Sequence, residues 1–193
     1  MTLFIGVHLF NHLYALMGAD KHIALMNTLR QFYRHFLFES LLLTAVVAQI
    51  ISGFNLFKTQ RPMAVSFFEK LHVWTGLYLA FFLVVHLSAI LAGRYVLHLD
   101  TNFYFGVAGL NTSPFNLFFT PYYGLAIFSF FGHIAAIHAE KMKKNVLGFS
   151  PNLQAKGVLL IGIILIFFVF KGLTNDFQGV TIPNEYSILI GKY

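Results

Sequence analysis

Long apolar runs alternate with short polar or Pro/Gly-containing breaks along this chain, and that alternation sets the first expectations. Four runs approach or exceed the roughly 20 residues that a helix needs to cross a bilayer. They are residues 36–57 (FLFESLLLTAVVAQIISGFNLF), 71–93 (LHVWTGLYLAFFLVVHLSAILAG), 120–139 (TPYYGLAIFSFFGHIAAIHA) and 155–173 (AKGVLLIGIILIFFVFKGL). A fifth run, residues 2–18 (TLFIGVHLFNHLYALMG), is shorter and carries His8, Asn11 and His12. It is read as a short spanning helix, with a re-entrant or interfacial helix as the alternative. Pro62, Pro114, Pro121 and the pair Gly148 and Pro151 mark the breaks between runs. The expected fold is all-α, a single transmembrane bundle of five helices over 1–193, with residues 174–193 as a surface tail.

Composition agrees with a membrane location. Of the 193 residues 58% are hydrophobic and 10% charged, and the mean hydropathy is +0.71; soluble domains carry about 25% charge. The formal charge is +6, but the basic residues are scattered between apolar runs, which argues against nucleic acid as a partner. They read instead as topology signals. With five spans, Lys58, Arg61, Lys70, Lys141, Lys143, Lys144 and Lys156 fall on the side of the N-terminus, and Lys21, Arg30, Arg34, Arg94, Lys171 and Lys192 on the other. The cluster at 141–144 tips the first side towards the cytoplasm or matrix. The N-terminus lacks a basic lead before its apolar stretch and is expected to be retained. There is no cysteine, so this chain holds no disulfide, c-type haem attachment or thiolate-ligated cluster.

Nine histidines are the candidate chemistry, because an imidazole in hydrocarbon is costly unless it has a partner. His72 and His86 lie fourteen positions apart, about 21 Å and nearly four turns along one helix. Both rings therefore leave the same face. Alternating helix directions bring His8 to the level of His86, and His133 to that of His72 or of a residue in the second run. Zinc would want three or four ligands close together, whereas a b-type haem needs two imidazoles, a slot lined by small and aromatic residues, and cations for its propionates. Haem held between helices is the expectation, one or two per chain, with iron ligated by His8, His86, His133 and His72. His12 is an alternative to His8. Arg34, Arg61, Lys70 and Arg94 are candidate propionate partners. Glu39, an acid four places into an apolar helix, is a candidate for a quinone or proton path, with Arg34 or His35 as its partner. Glu69 and Trp74 suggest a second quinone site. His22, His35 and His98 are expected at the interface, and His138 as a polar anchor or proton relay.

The stretches VHLFNHL (7–13), FESLLLTAVVAQIISG (38–53), LHVWTGLYLAFFLVVH (71–86) and FGHIAAIH (131–138) resemble the cytochrome b membrane anchor of succinate dehydrogenase and quinol:fumarate reductase, in its single-subunit, five-helix, dihaem form. The resemblance runs from about Phe4 to Ala139 and implies an electron carrier in the bacterial or mitochondrial inner membrane. It would anchor a flavoprotein subunit and an iron–sulfur subunit and exchange electrons with quinone. The resemblance assigns the distal haem to His8 and His86 and one side of the proximal haem to His133. At the second-helix ligand position this chain has Gln49, a departure that leaves His72 or no second haem. The rival expectations are a stand-alone cytochrome b and a haem-free accessory subunit of a respiratory complex.

Overall fold

The computed structural model describes residues 1–192. Among the described residues seven α-helices form in chain order: α1 Thr2–Leu13, α2 Ala19–Tyr33, α3 Phe36–Gln60, α4 Phe67–Tyr95, α5 Phe103–Val107, α6 Asn116–Lys141 and α7 Pro151–Leu173. Four of them, α3, α4, α6 and α7, are long and apolar enough to cross a membrane. These are the four long runs of the sequence. Their outward faces carry large apolar side chains such as Ile51, Phe81, Leu160, Ile164 and Phe167, a surface that water would penalise and that lipid solvates without cost.

The fifth run forms a shorter apolar helix. Helix α1 and its 3-10 extension Tyr14–Met17 cover sixteen residues, short of the roughly 20 that a crossing requires. Gly18 then turns the chain at φ 100° directly into α2, a conformation open to glycine and strained for other residues. Helix α2 has mixed polar and apolar residues and follows no span-like pattern.

The chain divides into two compact units. The first comprises Met1–Val46, His86–Tyr122 and Phe167–Tyr193, and the second Val47–Val85 and Tyr123–Ile166. In the first, α1, α2 and α5 pack together and the 3-10 segment Asn184–Ile190 packs on α5. The segment after Leu173, expected as a surface tail, is tied down here. Tyr186 is almost fully buried and donates to the Asp100 carbonyl at 3.1 Å, and burial lifts its phenol to about 12. Asn111 donates to the Leu173 carbonyl at 3.0 Å and accepts from the Val180 amide at 3.1 Å.

In the second unit small residues bring helices together. A Cβ on Gly53 would stand 2.8 Å from both the Gly76 carbonyl oxygen and the Ala80 Cβ, so α3 and α4 touch backbone to backbone. The start of α4 is a capping box. The Glu69 amide donates to Ser66 Oγ at 3.2 Å, and the Glu69 carboxylate accepts from the Ser66 and Val65 amides at 2.8 and 2.9 Å.

Candidate haem site

The first unit gathers four histidines. His8 and His12 lie one turn apart on α1, His22 is on α2 and His86 on α4. The His8 and His86 ring centres are 6.2 Å apart at 69°, and His12 Nε2 lies 3.2 Å from His8 Nε2. The row continues from His12 to His22, with ring centres 5.6 Å apart, and Asn11 Nδ2 lies 3.3 Å from His22 Nε2. Phe103 of α5 packs edge-on against His22 at 5.2 Å. Asn11 and His22 are buried, which places His22 inside the packing rather than at the interface.

Two imidazoles that bind one metal from opposite sides at about 2 Å each have ring centres roughly 6 Å apart. His8 and His86 meet that separation. His72 and His133, both in the second unit, do not: their ring centres are 4.5 Å apart at 62°, an edge contact that leaves no room for a macrocycle. Thr75 Oγ1 lies 3.3 Å from His133 Nδ1, and His72 Nδ1 lies 3.5 Å from a Glu140 carboxylate oxygen. Gln49, at the second-helix ligand position of the resemblance, is exposed. Of the two expected pairs, His8 and His86 are the one that stands at this separation.

No known protein family, curated protein or solved structure matches this chain. The assignment of chemistry rests on the residues themselves.

The arginines among the candidate propionate partners are engaged. Arg94 pairs with Glu39, so the partner of this acid is neither Arg34 nor His35. Arg34 donates to Thr101 Oγ1 at 2.9 Å, and burial, followed by the charges of Arg30 and Arg94, lowers its affinity for a proton. Arg61 lies over the Phe57 and Trp74 rings at 5.2 and 5.7 Å. Glu69 has its structural task in the cap, and Glu69→Ala is expected to lower the melting temperature. Thermal unfolding with haem content as a parallel readout checks that the loss is one of stability alone. Trp74 lines an apolar cavity of about 560 Å³ with Phe54, Tyr78, Phe81, Phe128 and Ser129. His138 Nε2 meets Gln154 Oε1 at 2.8 Å, linking α6 to α7 as a polar anchor. His35 and His98 are exposed.

His22 also makes the fold sensitive to pH. Burial, and after it the charges of His8 and Arg30, hold its imidazole down at about 4 from 6.5. The unfolded chain takes up this proton as pH falls through 6.5, while the folded chain resists until about 4. The contribution of His22 is therefore intact above 6.5 and declines across that window. Melting curves of wild type and His22→Gln between pH 7 and 5 are expected to show a shallower pH slope in the variant; equal slopes would place the sensitivity elsewhere.

Proposed function

We propose that this chain is a membrane cytochrome b subunit that binds one b-type haem between His8 and His86 and passes electrons between a quinone and partner redox subunits. The observation that carries the proposal is the 6.2 Å separation of those two rings, on different helices. In this reading the haem supplies reversible one-electron transfer. The protein's part is to hold both imidazoles at the required separation. His12 Nε2 stands against His8 Nε2, so an iron taken at that nitrogen would replace this contact, and His12, with the buried Asn11 and His22 behind it, would pack beside the ligand.

The cavity beside Trp74 supports the quinone half of the proposal. Its wall is almost wholly apolar and aromatic, as a ring ligand dissolved in lipid requires. Thr75 joins that wall to His133, and His133 touches His72, which reaches Glu140. This row offers exchangeable protons to a ligand whose reduction consumes them. Flavoprotein and iron–sulfur subunits are the partners that the resemblance implies. The lysines at 58, 70, 141, 143, 144 and 156 would face them on the cytoplasmic or matrix side. The close contact of His72 with His133 favours one haem over two.

A reduced-minus-oxidised spectrum of the purified chain, with haem quantified per polypeptide, tests the proposal. The expected result is a sharp α band from about one bis-imidazole haem per chain. A protein without iron would leave a haem-free accessory subunit, and a haem-loaded chain without flavoprotein or iron–sulfur companions would be a stand-alone cytochrome.

A further inference from the structure

Arg30, on α2 in the first unit, is a buried cation with three of its five N–H donors idle. Its side chain is only 10% exposed, and its Nη1 contacts Asp100 at 2.7 Å and Asn27 Oδ1 at 3.3 Å. Its Nε and Nη2 are both buried without a hydrogen-bond partner. A buried guanidinium with unmade hydrogen bonds is costly, since charged donors lose their water without replacement. These two atoms share one edge of the planar group, and their N–H bonds run parallel. That edge is the fork that takes both oxygens of one carboxylate.

The surrounding charge points the same way. Arg34 feels the positive charge of both Arg30 and Arg94, and the paired acids are Asp100 on Arg30 and Glu39 on Arg94. Three guanidinium groups thus stand with two carboxylates, and one further anion would balance them.

We propose that the Nε–Nη2 edge of Arg30 binds a carboxylate carried by a membrane-borne ligand, either a haem propionate or a fatty acid. The haem source rests on the proposed function above; the carboxylate fork itself does not. The sequence marks Arg30 only as a topology charge, and its idle edge arises from the packing of α2 against its neighbours.

The test uses the full chain in lipid nanodiscs, stripped of haem and titrated with haem b or with haem b dimethyl ester, followed in the Soret band. Wild type is expected to bind the free acid at least about tenfold more tightly than the ester, the scale of one charge-assisted hydrogen bond. Arg30→Gln should lose most of that preference. Arg30→Lys, which keeps the charge without the fork, should fall between, and it carries the test if the glutamine variant does not fold. A second arm compares oleate with methyl oleate by the melting temperature of the haem-free chain. A rise with oleate alone that needs Arg30 assigns the fork to a fatty acid. Failure of the haem reading would show separately, as the absence of any Soret shift in wild type. If neither acid is favoured over its ester in an Arg30-dependent way, the edge holds water only and the proposal is overturned.

Discussion

His86→Ala is expected to empty the chain of haem, from about one per polypeptide to less than roughly a tenth, because loss of an axial imidazole exceeds the 10–100-fold effect of losing an outer partner. The His86 ring stands 6.2 Å from that of His8, whereas His8–His12 and His72–His133 are too close for a shared iron at 4.6 and 4.5 Å, and His12–His22, at 5.6 Å, is the other described pair near the required separation. His8→Ala should have a similar effect. His12→Ala should weaken haem retention without abolishing it, since His12 touches His8 and takes no part in the proposed ligation. His72→Ala and His133→Ala serve as the opposite controls and should leave haem content unchanged. Pyridine haemochrome assay of each purified variant reads all five. Full haem in His86→Ala together with loss in His133→Ala would reverse the assignment and return the haem to the second unit.

The second large effect is structural. Gly53→Ala places a methyl group where the Gly76 carbonyl oxygen and the Ala80 Cβ already stand 2.8 Å away. Neither neighbour is the end of a flexible side chain, so α3 and α4 must separate. In a membrane, where helix association depends on close packing rather than on escape from water, that separation removes contacts along the whole seam. Overpacking of this kind costs about 1–3 kcal/mol, or a fall of roughly 3–10 °C in melting temperature for a chain of this size. Gly6→Ala is the control, because nothing lies within 4 Å of a Cβ built there. It should be neutral or slightly stabilising, as alanine favours the helix over glycine. Equal melting temperatures for the Gly53 variant and wild type would show that the seam can open without loss.

Particular residues show how far the sequence alone reaches. The four long spans follow from bilayer thickness and apolar run length, both local quantities, and they reappear as α3, α4, α6 and α7. The cap of α4 is legible too, since Ser66 and Glu69 have the capping-box spacing just ahead of an apolar run. The placing of His72 and His86 on one face of one helix needs only the 3.6-residue period.

Other features depended on where separate segments come to lie. Whether α1 crosses the bilayer was undecided by composition; its end at Gly18 and the immediate start of α2 set its length. The choice of Arg94 as the partner of Glu39, the inclusion of His22 in the histidine row and the idle edge of Arg30 all depend on α2 and α4 meeting other elements of the first unit. The difference between the His8–His86 and His72–His133 pairs is under 2 Å in ring separation. The chain's own pattern therefore determined which helices exist, how long the four spans are and which faces carry imidazoles. Which imidazoles and ions meet was left to the tertiary structure, because an ångström of axial shift or a small rotation between helices changes a contact without altering any local sequence preference.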